Sequence, residues 1–453
     1  METPTLYSAR WVLPISSPPI EDGAIAITES HITTVGTRAA LHAAFPRAEV
    51  KDFGAAAILP GLINTHSHLE LTALRGFLES EEGDFFRWLK KLTLARLELM
   101  TRDDIHVSAL WGACEALRAG VTCVGDASDA AYESLTALRE IGMRGTVFQE
   151  SFGPDPKLAA ENFAKLKEKV FRLREMETAF VKVGVSPHAP YSVCAPQLRL
   201  ISEFALSEHL PLMMHAAESR AEELLVREGL GTFADGLASR NIEWSAPGIS
   251  IIEYLKRHGI LETGPLLAHC IRVDASDVET IKQTGTRVAH CPKSNAKLGH
   301  GKAPLLALLE REVPVGLGSD SVASNNNCDL LEEARFAVLL GRLGRSECDP
   351  KMLSANEALS TATIGGARAL NLEGQVGELS EGAQADFAVI ALNGTHQVPS
   401  YDPANTLIFA SSGRDVVLTV VGGREVYREG QITTVDEERL RARMQEISLK
   451  LRT

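Results

Sequence analysis

His66 and His68, in the stretch NTHSHLE, have the spacing that puts two imidazoles on one face of a strand, because residues i and i+2 of a strand point the same way. Such a pair is half of a metal site. Alone it says little, since most closely spaced histidines serve no chemistry; the other candidates strengthen it. His215 closes the apolar run LPLMMHAAE, His269 closes GPLLAHC and Asp320 closes VPVGLGSD. Three histidines and an aspartate suit one divalent ion with a position left for water. A metal there lowers the pKa of that water from about 15.7 to roughly 7. Zinc is the first expectation, with iron and manganese also compatible with imidazole and carboxylate donors. Glu218, three residues after His215, reads in two ways: a proton shuttle, or merely the first-turn acid of the next helix.

These residues need a frame that gathers strand ends. Eight apolar runs ending in polar clusters alternate with helix-like segments: ILPGLINTHSH, GVTCVGDAS, MRGTVFQESF, FVKVGVSPHAP, LPLMMHAAE, GPLLAHC, GTRVAHCP and VPVGLGSD. Strands covered on both faces are apolar almost throughout, and eight strand-then-helix units close a parallel barrel. The expected fold is therefore α/β, a (β/α)8 TIM-type barrel over residues 57–372, with the candidate residues at its C-terminal mouth. The longest intervals between strand ends follow His66-His68 and His215, where insertions that lid the site are expected. Short alternating segments in residues 1–56 return in residues 373–453, so the two chain ends are expected to build one small β-sandwich domain, followed by the charged amphipathic helix DEERLRARMQEISLKL. An open doubly wound sheet is the competing architecture, but its dinucleotide fingerprint is absent.

The 453 residues are 45% hydrophobic and 23% charged, which excludes a mainly disordered chain. A net charge of −13 leaves no basic footprint for nucleic acid. Seven scattered cysteines (Cys114, Cys123, Cys194, Cys270, Cys291, Cys328, Cys348) form no C-x-x-C pair and read as reduced thiols. No run approaches about 18 apolar residues. The expectation is a cytoplasmic protein without nucleic-acid or membrane partners, acting on a small molecule and water; whether it forms a homo-oligomer is unread. A P-loop, H-E-x-x-H and G-x-S-x-G are absent, as is the H-x-E with P-C-x-x-C signature of the small zinc deaminases that act on nucleic-acid bases.

The ordered set THSHLE, MMHAAES, LLAHC, HCPKSNAKLGHG and GLGSDSVASNN resembles the amidohydrolase superfamily, specifically its single-metal aminohydrolase (chlorohydrolase-like) branch. The likeness spans almost the whole chain. It implies that His66, His68, His215 and Asp320 hold the metal, that Glu218 protonates a ring nitrogen, that His269 orients or polarises at the attacked carbon, and that Asp320 also takes a proton from water. Two-metal members carry a bridging lysine at the end of the fourth strand. Here Lys182 stands at the start of that run, and His188 occupies the mouth, either contacting substrate or bonded to backbone.

The implied reaction is hydrolytic deamination of a 6-aminopurine nucleoside. THSHLE, the WL of FFRWL, QESFG, PHAPYSV and ESRAEE resemble aminodeoxyfutalosine deaminases of menaquinone synthesis more than S-adenosylhomocysteine or methylthioadenosine deaminases. In the latter a glutamate about nine residues after the tryptophan, Trp88 here, grips the ribose; Leu97 stands there, flanked by Arg96 and by Glu98, which a one-residue slip of the loop would bring into that place as a substrate-binding candidate. S-adenosylhomocysteine, methylthioadenosine, adenosine, guanine, pterins and triazines are the alternative substrates, and a non-catalytic barrel scaffold is the alternative class. The remaining substrate-binding candidates are Glu150, closing the third run, and two arginines for a carboxylated substrate, Arg96 first and Arg144 second.

Overall fold

The computed structural model describes residues 3–343 and 351–452, and Cys348 lies outside them. All eight apolar runs form barrel strands: Leu62–Ser67, Val121–Ser128, Arg144–Ser151, Val181–Pro187, Met213–Ala216, Leu266–His269, Arg287–His290 and Val315–Leu317. Each neighbouring pair is parallel. The first four make one sheet and the last four another. Two parallel bridges, Val185 to Leu212 and Ser67 to Asp320, join the halves into a ring. The second closure therefore falls between two segments that carry site residues.

Burial on both faces explains the texture of the runs: seven of the eight strands are buried at every position, and only Lys182 in the fourth is exposed. Residues such as Ile63, Cys123, Phe148, Met213 and Ala289 pack together inside, with Ala367, Ala369 and Leu370 of the segment after the last strand. The outer residues join the large core that the surrounding helices complete.

Both chain ends contribute to a nine-stranded sheet, in which Ala56–Pro60 pairs with Thr5–Val12 on one side and Phe387–Ala391 on the other. Strand parity divides its residues between two cores. Ala56 and Ile58 join Tyr7, Ile25, Phe387 and Leu418 inside the small β-sandwich domain, whereas Ala57 and Leu59 face the core shared with the barrel. The expected join at 57 thus falls within a strand of the end sheet, and barrel pairing begins at Leu62 after Gly61. A Cβ on Gly61 would lie 2.0 Å from Thr122 Oγ1, so this sharp passage needs glycine. The terminal helix Glu437–Leu451 packs on Arg102–Arg118, fixed by Arg118 with Glu437 at 2.8 Å and Lys450 with Asp104 at 2.7 Å.

Two insertions rise at the barrel mouth. After the first strand come the 3-10 turn Leu69–Leu74, the helix Phe85–Leu94 and a π-helical turn Ala95–Leu99; after the fifth come Arg220–Glu228, Thr232–Ala238 and Ile251–Arg257. Phe85, Phe86 and Trp88 from the first insertion and Phe233 from the second line one cavity over the strand ends. Among the described residues no helix is long and apolar enough to cross a membrane, and six cysteines are free and buried.

Candidate active site

The first strand delivers His66 and His68 to the mouth as its period-two geometry requires. Their rings meet edge to face, centroids 4.9 Å apart. The fifth strand brings His215, whose Nε2 lies 3.1 Å from Nε2 of His68. Asp320 Oδ1 lies 3.4 Å from His66 Nε2 and 3.6 Å from His68 Nε2. Several of these positions bend the backbone sharply: Ala217, His269, Cys270 and Asp320 all have positive φ although none is glycine, the kind of strain that persists where a rigid surround enforces a site.

Hydrogen bonds set which nitrogen of each ring faces inward. His215 Nδ1–H donates to the His188 carbonyl at 2.9 Å, leaving the Nε2 lone pair free. His66 Nδ1 lies 3.2 Å from the Met213 sulfur, and its buried Nε2 has no hydrogen-bond partner. The hydroxyls of Ser294 and Ser324 donate to Asp320 Oδ2 at 2.5 and 2.9 Å, so Oδ1 is the oxygen left to face the imidazoles. Burial, reinforced by neighbouring imidazoles, depresses His68 to about 3 and holds His215 well below its ordinary value. Burial alone would favour a neutral Asp320, but the close approach of His66 at 3.4 Å and the charge of His269 keep its carboxyl well below the usual range. Three neutral nitrogens and one carboxylate oxygen are the donor set a divalent ion takes. Donor atoms group within 4.8 Å as His66, His68 and Asp320, as His66, His215 and His269, and as His68, Glu150 and His215.

His269 and Glu218 stand beside this set. Nδ1–H of His269 donates to Asn295 Oδ1 at 2.8 Å, and Nε2 lies 3.7 Å from Glu218 Oε1. Burial disfavours a charged His269, yet the carboxylates of Glu218 and Asp320 raise it above its ordinary value. Burial pushes Glu218 up to about 7, offset in part by His269. A carboxyl poised near neutrality can both take and give a proton. Glu218 precedes the helix Arg220–Glu228 rather than belonging to its first turn; Ser219 is the cap. Below it, both oxygens of Glu222 accept backbone N–H bonds, from Ala217 at 3.1 Å and Glu218 at 2.8 Å.

The cavity measures about 940 Å³, at the upper end of small-molecule sites. His188 lines it, with Nδ1 2.7 Å from Ser192 Oγ and Phe152 packed 4.6 Å from its ring. Trp88 is buried in the wall, its indole N–H without a partner. Glu150 also lines the cavity; burial, with Glu70 and Asp129 nearby, raises its carboxyl well above the usual range. Arg96 reaches the cavity but is not free, since it donates to Asp129 Oδ2 at 2.8 Å and to Glu70 Oε1 at 3.5 Å.

Two sequence candidates do not belong here. Arg144 opens the third strand, at the end of the barrel away from the mouth, where it is buried against Asp386; the third run is oriented so that Glu150, not Arg144, meets the cavity. Glu98 is exposed and does not line the cavity, whereas Leu97 does, so no one-residue slip restores the ribose-gripping glutamate. Sequence reasoning missed Ser294, Asn295, Ser324, Glu222 and His300. The readable signals were the cap spacing Ser219 to Glu222 and, for the other four, their place in HCPKSNAKLGHG and GLGSDSVASNN.

Residues 57–426 match the Amidohydrolase family. A curated relative from Syntrophobacter fumaroxidans, named 5-methylthioadenosine/S-adenosylhomocysteine deaminase, is 32% identical over 430 residues, 94% of this chain and 93% of its own. An adenosine deaminase from Xanthomonas campestris, solved with bound zinc, has a TM-score of 0.87 at 26% identity and covers 99% of this chain and 98% of its own. The fold is also that of Helicobacter pylori aminofutalosine deaminase in complex with methylthio-coformycin, with a TM-score of 0.77 at 23% identity over 93% of this chain and 100% of that one. Strand order, donor set and family match agree: the chain belongs to the amidohydrolase family.

Proposed function

We propose that the protein is a metal-dependent deaminase that hydrolyses the 6-amino group of a purine nucleoside. The observation that carries the reading is Glu218, a buried carboxyl pushed up to about 7 and set beside overlapping three-donor groups of histidines and carboxylates at the mouth of a barrel. The deaminase names of the Syntrophobacter and Xanthomonas relatives support it.

His66, His68, His215 and Asp320 would hold one divalent ion, zinc by analogy with the Xanthomonas relative. Such an ion supplies Lewis acidity and makes water nucleophilic near neutral pH. Asp320 Oδ1 is disposed to accept a proton from the attacking water. Glu218 carries a proton to the ring nitrogen next to the attacked carbon, so that carbon accepts the oxygen without leaving charge on the ring. His269, held by Asn295, steadies the developing oxygen. The C–O bond forms, and the proton taken up by Asp320 passes to the amino nitrogen as the C–N bond breaks, so that it leaves as ammonia. The remaining hydroxyl proton returns to Glu218, leaving a 6-oxo ring with its N–H. Phe85, Trp88 and Phe233 wall the cavity against bulk water.

For the distal end of the nucleoside, the first reading is a 5′-thio-substituted adenosine. It is supported by the curated relative's name and by the apolar rim of Leu94, Leu97 and Phe152, each at least 40% exposed beside the cavity. The second is aminodeoxyfutalosine, favoured by the presence of Arg96 in the wall. Ammonia release across adenosine, methylthioadenosine, S-adenosylhomocysteine, aminodeoxyfutalosine, guanine, a pterin and a triazine tests the reading. Turnover confined to the last three would overturn it. Arg96→Met divides the two substrate readings with S-adenosylhomocysteine, also a carboxylate, as control: an equal loss of kcat/KM on methylthioadenosine and aminodeoxyfutalosine supports the first, and a loss on aminodeoxyfutalosine that S-adenosylhomocysteine does not share supports the second.

A further inference from the structure

Among the described residues, three buried ring nitrogens close to the site have no hydrogen-bond partner: Nε2 of His66, of His269 and of His300. The first two already have roles. His300 comes from the loop after the helix Pro292–Lys297 rather than from a barrel strand, yet it is 6% exposed. Its backbone N–H donates to the Asn295 carbonyl at 2.9 Å, and its ring lies edge to face against Phe85 of the first insertion, centroids 4.5 Å apart. Held from both sides, Nε2 lies 3.7 Å from Glu218 Oε1, the same distance at which His269 Nε2 approaches that oxygen.

An unpartnered buried donor costs about 1–3 kcal/mol, so its retention in this place calls for a use. A neutral imidazole carries a hydrogen on one nitrogen and a lone pair on the other. A lone pair facing an ionised carboxylate is repulsive, so the tautomer with hydrogen on Nε2 is favoured whenever Glu218 is charged. A small ring rotation or one bridging water closes the remaining gap.

We propose that His300 is a positioning residue for Glu218: its Nε2–H, across Oε1 from His269, holds the carboxylate turned into the cavity while the proton is carried. The proposal rests on the proton-carrying role given to Glu218 above. His300 itself touches no reacting atom. Glu222 fixes the Glu218 backbone from below, and His300 restrains the carboxylate head, so the two act on different degrees of freedom.

The test compares metal-loaded wild type with His300→Leu and His300→Gln. The leucine removes the donor, and the glutamine returns an N–H at similar reach. In His300→Leu, metal content is expected to stay at the wild-type value while kcat falls about 10- to 100-fold with KM little changed, the scale of one hydrogen bond to a charged group. His300→Gln should recover most of that loss. The infrared carboxylate band of Glu218, isolated by subtracting the spectrum of Glu218→Gln, should shift in the leucine variant and return in the glutamine variant. Unchanged kcat in metal-loaded His300→Leu, or a loss confined to KM and equal in both variants, would overturn the proposal. If His300→Leu does not fold, the glutamine variant decides alone: near-wild-type kcat and band position support the proposal, and a large kcat loss with an unmoved band overturns it. If wild type deaminates no nucleoside, the functional reading fails separately, and the infrared comparison still decides for or against His300.

Discussion

Arg144 and Asp386 form a buried two-pronged ion pair, Nε to Oδ2 at 2.7 Å and Nη2 to Oδ1 at 3.1 Å, that joins the start of the third barrel strand to the end sheet. Asp386 Oδ1 also accepts the Gly422 N–H at 2.7 Å, and the guanidinium stacks over Phe180 at 4.6 Å. Removing one partner leaves the other charged in a dry junction. Arg144→Met is therefore expected to destabilise the protein by about 3–5 kcal/mol without changing KM, and Arg144→Met with Asp386→Leu to recover part of that loss. Urea unfolding midpoints read the first effect and steady-state kinetics the second; a selective change in KM would return Arg144 to the list of substrate contacts.

Elemental analysis is expected to give one divalent ion per chain. Replacing His66, His68, His215 or Asp320 should lower metal content and activity together if, as proposed, each contributes one donor to a single ion. Two equivalents of metal, or full activity after exhaustive chelation, would refute the assignment.

Glu218→Gln should keep the metal and lose about 10²–10⁴-fold in kcat, since a neutral amide occupies the same space but carries no proton. Near-wild-type turnover with metal in place would reduce Glu218 to a residue that merely precedes a helix.

Mild acidification should remove the part of the stability that His290 contributes. Burial depresses His290 to about 4, whereas the unfolded chain titrates near 6.5. Below pH 6.5 the unfolded state takes up a proton that the folded state refuses, so the contribution of His290 is full above 6.5 and disappears as pH falls toward 4, about 3 kcal/mol at most. Glu333 acts with the opposite sign: burial raises it to about 8, so its contribution is full below the ordinary carboxyl range and is lost as pH rises toward 8. Because the profile is a sum, single variants isolate its parts. His290→Gln should lose less stability between pH 7 and pH 5 than wild type, measured by urea midpoints; parallel losses would show that His290 is not the group responsible.

The barrel was legible because parallel strands buried on both faces leave unbroken apolar runs, and the convergence of His66, His68, His215 and Asp320 because each stands at the polar end of such a run. The same texture hid the join at Gly61. Ala56–Pro60 is also buried on both faces, and apolar content does not tell a strand of the end sheet from one of the barrel. Arg144 misled because an arginine next to a strand carries no mark of which end of the barrel it serves. Ser294 and Asn295 stand in HCPKSNAKLGHG, yet their roles were not legible, because their partners, Asp320 and His269, lie across space on other elements and no local spacing encodes that. Arg96 was placed in the cavity by its position in the first insertion, but its two carboxylate partners lie in different turns of the chain.

The pairing of Ala56–Pro60 with Phe387–Ala391 also constrains the order of events during synthesis. The early strand leaves the ribosome long before its partner, and the whole barrel is translated between them. Its edge must stay unpaired over that interval, so the small domain closes last, after the most non-local contacts in the chain become available, and this is the step expected to be slow. An unpaired apolar edge of that kind is also where nascent chains would associate with one another.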